Sequence, residues 1–293
     1  MYLPKLGDKF MPISPEELPE GMVLDFVFVT GDAYVDHPSF GTAIISRILE
    51  DNGFTVGIIA QPEYKTAYKD GSGKGVCLFG KPRLGFLVSA GNIDSMVAHY
   101  TAAKKRRSDD YYSPGKKARL RPDRAVIVYC NRIREAYGDV PILIGGLEAS
   151  LRRFAHYDYW DDKVRRSVLI DSGADILMYG MGEKSIVALA KLLDKGVPVK
   201  KIRDVRGTVI TAPLDYVPKY DFCDTYTYDE LKTDKEKYAK AFAMQYKNVD
   251  PIDGKAIVEF YDNKKLVQNP PFPLLTREEM DYVYSLPYTR RPH

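Results

Sequence analysis

The hydrophobic positions of the chain first form a nearly continuous apolar run at residues 22–30, rich in Val and Phe. Such a run is typical of a strand that is buried on both faces of a sheet. Residues 41–52 then place their apolar side chains on one helical face, and Gly53 follows where a helix commonly ends. Residues 55–60 are apolar again, so this stretch predicts one βαβ unit with a right-handed crossover.

The same alternation of short apolar runs and amphipathic segments continues to about residue 211. Further strands are predicted at residues 84–90, 140–144, 175–179 and 205–211, and helices at residues 93–103, 122–137, 163–170 and 184–194. Strands that alternate with helices predict an α/β fold with a doubly wound, mainly parallel sheet of flavodoxin-like Rossmann topology.

The pattern changes after Pro213. A helix is predicted at residues 228–246, a hairpin at residues 256–268 and a last short helix that Thr276 caps. We therefore predict an N-terminal arm (residues 1–21), an α/β doubly wound domain (22–213) and a helix-plus-hairpin extension (214–293). The proline-containing end of the extension is interpreted as a linker toward a further domain.

Composition narrows the setting. The net charge of +3 over 293 residues does not by itself imply a polyanionic partner. Cys77, Cys130 and Cys223 are far apart and form neither a metal-binding spacing nor an even set for disulfides, which favours a reducing cytoplasm. No apolar run reaches membrane-spanning length, so we expect no membrane association.

Polar segments follow the predicted strands, where an α/β sheet places its ligands. Residues 31–41 carry four candidate ligand-binding residues, Asp32, Asp36, His37 and Ser39, and Asn92 follows a later strand. The alternative interpretation is a capped loop with a hydrogen-bonded histidine. The GxGxxG pattern is absent from this turn, which speaks against a dinucleotide site.

The segment at residues 145–167 combines Gly-Gly with arginines, carboxylates and the single Trp of the chain. Its candidate ligand-binding residues are Gly145, Gly146, Glu148, Arg152 and Arg153. Arginines at this position can bind a carboxylate or phosphate in a bidentate manner. Aspartates nearby in sequence can equally well neutralise them in internal ion pairs, and both interpretations stay open here.

Two weaker signals remain. Gly180, Gly182 and Glu183 follow another strand and predict a phosphate or ribose contact, with a plain strand-to-helix turn as the alternative. Residues 104–121 are basic with interleaved Tyr, which predicts either an RNA-binding surface or a solvated charged face. A nucleophile elbow, a P-loop, an HExxH motif and a CxxC motif are all absent, so the residues alone indicate a ligand-binding α/β domain.

Long strings of the chain resemble the N-terminal region of the YgiQ-type radical SAM proteins. They are VTGDAYVDHPSFG (29–41), GIIAQP (57–62), SAGNIDSMVAHYTAAKKRRSDDYYSPG (89–115), RPDRA (121–125), IGGLEASLRRFAHYDYWDDKVRRS (144–167), YGMGEKSI (179–186), QNPP (268–271) and LPYTRRPH (286–293). The resemblance implies a cobalamin-binding-like domain in front of a radical SAM barrel. In that barrel a CxxxCxxC motif binds a 4Fe-4S cluster and S-adenosylmethionine is cleaved.

The resemblance assigns no cofactor to this chain itself, because none of its three cysteines matches the CxxxCxxC motif. The cobalamin signature DxHxxG is not met either, since Asp36 and His37 are adjacent. We therefore do not expect cobalamin to bind through His37, and no metal ligand is assigned.

The leading interpretation is an accessory or substrate-binding domain of a radical SAM enzyme with an undefined substrate, inactive alone and partnered by the barrel. Its candidate side chains should then cluster at one edge of the sheet. The alternatives are an RNA-binding module that uses residues 104–121 and a non-catalytic interaction domain.

Overall fold

The computed structural model describes residues 9–293, so the first eight residues of the predicted arm lie outside the described part. Its strands are β1 (Phe26–Thr30), β2 (Val35–Asp36), β3 (Val56–Ala60), β4 (Gly85–Ser89), β5 (Ile142–Gly145), β6 (His156–Asp158), β7 (Lys163–Arg165), β8 (Ile176–Met178), β9 (Thr208–Ala212), β10 (Phe222–Thr227), β11 (Ala256–Tyr261), β12 (Lys264–Gln268) and β13 (Arg291–Pro292). Its helices are α1 (Gly41–Asp51), α2 (Ser95–His99), α3 (Ala125–Tyr137), α4 (Gly146–Leu151), α5 (Val168–Ser172), α6 (Glu183–Asp194), α7 (Tyr228–Thr233), α8 (Lys235–Lys247) and α9 (Arg277–Ser285).

Within residues 9–293, one sheet of nine strands has the order β10-β11-β12-β9-β8-β5-β4-β1-β3. The strands β3, β1, β4, β5 and β8 are parallel neighbours. In chain order these five strands read 2-1-3-4-5, which is the flavodoxin-like order of a doubly wound fold. The predicted fold class is therefore confirmed, and the strand order reverses between β1 and β4.

Both faces of the parallel strands are buried. Phe26 and Phe28 of β1 point to one side, where they join the hydrophobic cluster that contains residues of α1 and α6. Val27 and Val29 point to the other side and join the cluster that contains residues of α3 and α5. This alternation follows from the two-residue period of a strand, and it explains why the run is apolar at consecutive positions.

The extension continues the same sheet. The hairpin of β11 and β12 is antiparallel, with Val258 opposite Val267, and β12 pairs with β9. The predicted hairpin and last helix are thus confirmed, while the predicted domain boundaries stay a prediction. The helix predicted at 228–246 is divided at Asp234, whose carboxylate caps α8 by accepting the amide hydrogens of Glu236 and Lys237.

Two other predicted helices were wrong in extent. Residues 163–170 begin with β7, which pairs with β6, and α5 begins only at Val168 after the N-cap Ser167. The predicted helix at 93–103 is limited to α2, which Asp94 caps. In both cases the structure has a short helix with a capped N-terminus, α2 or α5, where the apolar spacing predicts a longer helix.

The last residues of the chain pack against β2. β13 pairs antiparallel with β2, and the Thr289 amide donates to the Asp36 carboxylate at 2.8 Å. Across residues 9–293, no helix combines the length and apolar character needed to cross a membrane.

Candidate ligand-binding site at the carboxyl edge of the parallel strands

A cavity of about 290 Å³ lies at the carboxyl ends of β1, β4, β5 and β8, where α1 and α6 begin. Phe28, Leu87, Leu143 and Met178 line it from the sheet. The rest of its lining is rich in glycine, namely Gly41, Gly91, Gly145, Gly146, Gly180 and Gly182. Glycine lets a ligand approach the backbone closely, so this edge is the candidate site.

The backbone itself requires some of these glycines. Gly146 has a φ of +81°, and a Cβ there would lie 2.7 Å from the Ser89 hydroxyl oxygen. Gly91 has a φ of +106°, and a Cβ there would collide with the Asp32 carboxylate. Left-handed φ values and close contacts both exclude larger residues, so these two glycines are explained by the fold.

Other glycines of the lining are not required by the backbone. A Cβ on Gly41 would meet nothing within 4 Å, and one on Gly145 would come no closer than 3.5 Å to the Met178 carbonyl oxygen. Gly182 has a φ of −89°, and its added Cβ would lie 3.3 Å from the Ile45 side chain. At these positions the missing side chains keep the cavity open, which supports a binding role.

The starts of α1 and α6 each bring a positive helix end to the cavity, and Glu183 in the first turn of α6 offsets part of the second. The N-cap residues Phe40 and Gly182 form no side-chain hydrogen bond to the first turn of their helices. The first N–H groups of a helix have no partner inside the helix, and the helix dipole is positive at this end. Two such ends beside one cavity favour an anionic group of a ligand.

Glu183 adds a hydrogen-bond acceptor at the start of α6. Its side chain lines the cavity, and its Oε2 atom is buried without a hydrogen-bond partner in the described chain. A buried carboxylate oxygen without a donor is costly, so a hydroxyl or amine of a ligand would stabilise it. The site therefore suits a ligand that carries both an anionic group and hydrogen-bond donors.

The structure brings together only part of the predicted site. The predicted residues that line the cavity are Asn92, Gly145, Gly146, Gly180, Gly182 and Glu183. Ser39 lies beside them, because its carbonyl oxygen accepts a hydrogen bond from the Asn92 side chain at 3.0 Å. Ligand contact by these residues stays a prediction.

Asp32 is used inside the protein. Its carboxylate lies 2.7 Å from Arg121, accepts the Asn92 amide at 2.6 Å and is almost fully buried. Arg121 also binds Asp110, at 2.8 Å. Burial raises the pKa of Asp32 to about 6 despite the nearby arginine. This ion cluster lies next to the cavity, because the Asn92 amide that Asp32 accepts belongs to a residue of the cavity lining.

Asp36 and His37 hold the loop and the chain end. The buried Asp36 carboxylate pairs with the buried Arg47 and accepts the Thr289 amide. The His37 Nδ1 atom accepts the Ser39 amide at 3.1 Å, and His37 does not line the cavity. These residues do not fit a lower-ligand site for cobalamin, because the histidine is turned into its own loop.

Glu148 of α4 forms hydrogen bonds to α2 and α3. Its Oε2 atom accepts both the amide and the hydroxyl of Ser95, and its Oε1 atom accepts the Val126 amide at 3.1 Å. The side chain is 1% exposed, and burial raises the pKa of its carboxyl group. Glu148 therefore supports the packing of α2, α3 and α4 and lies outside the cavity.

Some arginines of the Gly-Gly segment form internal ion pairs, and one remains available for an anionic ligand. Arg152 forms an ion pair with Asp94, and Arg165 and Arg166 pair with Asp171. Arg153 forms no ion pair with a carboxylate of residues 9–293; its Nε atom donates to the Gln268 amide oxygen at 2.6 Å. It lines a second cavity beside the first one.

Sequence reasoning does not identify two residues of the cavity linings, Gln268 and Thr42. Gln268 lies in the QNPP string, which indicates the family resemblance but no chemistry, and Thr42 has no motif of its own. The signal for both is position, since Thr42 lies in the first turn of α1 and Gln268 ends β12.

The described residues offer no cluster ligands. No group of three or more His, Cys, Asp or Glu side chains within residues 9–293 is placed to hold a metal ion. Cys77 and Cys130 are buried thiols, and burial raises the pKa of Cys130. These residues do not fit a 4Fe-4S cluster.

Comparisons with known proteins identify the family. The family model described as "Radical SAM N-terminal" matches residues 10–293. A UPF0313 protein of Clostridium botulinum strain 657 is 57% identical over 286 residues, which are 97% of this chain and 44% of that protein. A UPF0313 protein of Clostridium perfringens is 52% identical over 289 residues, 98% of this chain and 43% of that protein.

Two solved structures are also similar. One is the radical S-adenosylmethionine methyltransferase TsrM of Kitasatospora setae with tryptophan substrate and a SAM analogue, with 18% identity and a TM-score of 0.39 over 63% of this chain and 28% of that one. The other is TsrM with cobalamin and a [4Fe-4S] cluster, with 19% identity and a TM-score of 0.39 over 64% of this chain and 27% of that one.

The chain has the doubly wound α/β architecture and a candidate ligand site at its carboxyl edge. It belongs to the radical SAM N-terminal family, as the resemblance predicted. It spans less than half the length of the UPF0313 proteins that it matches.

Proposed function

We propose that this chain is the substrate-binding N-terminal domain of a longer radical SAM enzyme and has no catalytic activity alone. The observation that carries the proposal is the open cavity beside the glycines at positions 41, 145 and 182. The backbone conformation at these positions does not require glycine, yet no side chain fills the cavity there. The cavity lies at the carboxyl edge of the parallel strands, where such folds bind ligands. Its substrate enters with a polar, anionic end toward α1 and α6.

The S-adenosylmethionine and the 4Fe-4S cluster belong, in this proposal, to the barrel that would complete the enzyme. That barrel is the partner of this domain and supplies the radical chemistry. The residues of this chain bind and orient: the first turns of α1 and α6 hold an anionic group, and Glu183 accepts a hydrogen bond from a donor. The dispersed cysteines support a reducing, cytoplasmic setting for the whole protein.

The test uses the full-length protein, purified without oxygen. We expect iron and sulfide in the ratio of a 4Fe-4S cluster, and release of 5′-deoxyadenosine from S-adenosylmethionine after reduction. A full-length protein with neither property would contradict the assignment to a radical enzyme.

The cavity is tested separately with ribose 5-phosphate as an anionic, hydroxylated probe and ribose as its uncharged counterpart. Gly182→Leu fills the cavity, and Gly182→Ala is the matched control because both replace the same helix cap. We expect Gly182→Leu to weaken probe binding by about tenfold or more relative to Gly182→Ala, with cluster content unchanged. Equal binding by the two variants, or by the two probes, would remove the cavity from the proposal.

A second candidate function is RNA binding through the basic segment, residues 104–121. Its exposed cations form no ion pair with a carboxylate of the described chain: Lys104, Lys105, Arg106, Arg107, Lys116, Lys117 and Arg119. Tyr111 is 75% exposed, and the Lys116 ammonium lies 4.8 Å from the centre of its ring. Unpaired cations beside exposed aromatic rings suit phosphates and stacked bases.

This candidate predicts binding of transfer RNA that weakens steeply as salt rises. The double variant Lys116→Gln, Lys117→Gln should reduce the slope of log affinity against log salt by about one to two. The double variant Lys195→Gln, Lys200→Gln, at two exposed lysines outside the basic segment, is the control. Equal slopes in both variants, or no binding at low salt, would exclude this function.

A further inference from the structure

A second cavity, of about 320 Å³, lies beside the glycine-lined one. It is bounded by the end of α4, the turn after β8 and the proline-rich segment after β12. Its apolar lining includes Tyr179, Met181, Val249, Phe272 and Leu274. The two cavities share Gly180, Met181 and Glu183, so a ligand in one lies next to the other.

Arg153 is the distinctive charge of this second cavity. Its Nε atom donates to the Gln268 amide oxygen at 2.6 Å, and its Nη1 atom donates to the Ser150 carbonyl oxygen at 2.7 Å. Its guanidinium lies 5.2 Å from the ring centre of Tyr179. The other cation of the lining, Lys184, is paired with Glu279 at 2.7 Å.

The charge of Arg153 is therefore held partly out of water with no described carboxylate within ion-pair distance, although Glu183 lines the same cavity. Burial lowers the pKa of Arg153, and no carboxylate opposes that effect. Burial lowers the pKa of the neighbouring Arg152 as well, but Arg152 differs from Arg153 in forming an ion pair with Asp94. A buried cation that lacks an anion is unfavourable unless an anion from outside completes it.

Gln268 supplies an independent observation. The side chain is 1% exposed and lines the cavity, and its Nε2 atom has no hydrogen-bond partner in the described chain. The arginine donor fixes the amide oxygen toward Arg153, so the amide cannot be turned to satisfy its nitrogen within this contact. A buried N–H donor without an acceptor costs about 1–3 kcal/mol.

We propose that Arg153 and Gln268 form a carboxylate-binding site and that its ligand is a small organic acid with an apolar body. The planar guanidinium and the amide nitrogen offer N–H donors that match the two oxygens of a carboxylate. The apolar body of the ligand lies against Phe272 and Leu274. The proposal does not depend on radical chemistry, since the site would bind its ligand without reduction or S-adenosylmethionine.

The experiment is an NMR titration of the full-length protein with phenylacetate, with the uncharged phenylacetamide, and with inorganic phosphate. We expect phenylacetate to bind about tenfold or more tightly than phenylacetamide, because only the carboxylate completes Arg153. We expect phosphate to bind more weakly than phenylacetate, because it makes no apolar contact. Equal binding of phenylacetate and phenylacetamide, or stronger binding of phosphate, would overturn the proposal.

Two variants locate the site. Gln268→Glu places a carboxylate next to Arg153 at nearly unchanged shape, and we expect it to abolish phenylacetate binding while the melting temperature stays equal or rises. Arg153→Gln should also weaken binding by about tenfold or more, through loss of the cation. Arg166→Gln, at an exposed arginine outside the cavity, is the control and should bind as the unchanged protein does. Unchanged affinity in a folded Gln268→Glu variant would contradict the site.

Discussion

Two neighbouring regions of the carboxyl edge are built in opposite ways. Beside β1 and β4, the fully buried Arg121 lies between the carboxylates of Asp32 and Asp110, and the protein's own side chains fill the space. Beside β5 and β8, Gly145 and Gly182 leave a cavity open. The part of the edge around Asp32 is thus filled by charged side chains, and the open cavity lies next to it, at the starts of α1 and α6.

The contrast teaches that strand order locates the edge of a binding site but not which part of that edge is open. The reversal between β1 and β4 directs a ligand to this edge, and both regions lie beside it. The segment that contains Asp110 and Arg121 covers the first region, and the Ala33 amide donates to the Tyr112 carbonyl oxygen from the same segment. The cavity that remains open lies where glycines such as Gly145 and Gly182 provide no side chain to fill it.

The largest effect is expected from breaking the filled region. Arg121→Met would leave two buried carboxylates without their cation, so we expect a loss of about 3–5 kcal/mol in the free energy of unfolding, measured by urea denaturation. The matched control is Arg166→Met, whose exposed ion pair with Asp171 should contribute at most about 1 kcal/mol.

A triple variant sharpens this test. Adding Asp32→Asn and Asp110→Asn to Arg121→Met should recover part of the lost stability, because the uncompensated charges are then gone. A single variant that loses no more stability than Arg166→Met would show that the cluster does not close this region.

The next effect is the pH dependence of the same cluster. The pKa of Asp32 is raised to about 6 from its ordinary 3.8, because the side chain is buried. The stability that this group contributes is therefore complete below its ordinary pKa and is lost as pH rises through the raised one. For Asp32→Asn, we expect the stability relative to the unchanged protein to rise by about 2 kcal/mol between about pH 4 and about pH 7.5.

Urea denaturation of both proteins across this pH range measures the effect. Replacing a carboxyl oxygen by an amide nitrogen changes the free energy of unfolding by the same amount at every pH. The change of the stability difference with pH therefore reports the titration of Asp32. A stability difference that does not change with pH would mean that the carboxyl group titrates normally in this cluster.

Much of the fold could be predicted because it depends on local patterns. The run at Phe26–Thr30 predicted a central strand, since a strand buried on both faces leaves no polar position. The helix expected over residues 163–170 was wrong because Lys163–Arg165 pairs with another short strand, and that pairing has no signature in its own residues. Helix spacing alone does not exclude such a hairpin.

The site was harder to predict than the fold. Gly145, Gly146, Gly180 and Gly182 follow predicted strands, which indicates a place at the sheet edge, and the structure has them around one cavity. The partners of the charged candidates are distant in the sequence, and the sequence shows each charge but not its partner. Asp32 pairs with Arg121, and Arg153 meets Gln268.

The smallest effect separates the two kinds of glycine within the open region. Gly146→Ala forces a left-handed φ on a residue with a Cβ and brings that atom 2.7 Å from the Ser89 hydroxyl oxygen. We expect it to lower the free energy of unfolding by about 1–3 kcal/mol. Gly145→Ala has an extended backbone and room for its Cβ, so its stability should change by no more than about 0.5 kcal/mol.

The informative result is the comparison of stability and binding for these adjacent positions. We expect Gly145→Leu to fold normally and to lose ribose 5-phosphate binding, because it fills the cavity without straining the backbone. If Gly145→Leu unfolds as readily as Gly146→Ala, the glycine at position 145 serves packing, and the open region is not preserved for a ligand. If the Gly145→Leu variant folds and binds ribose 5-phosphate with unchanged affinity, the cavity is not part of the binding surface. The filled and open regions of the carboxyl edge would then differ only in their packing.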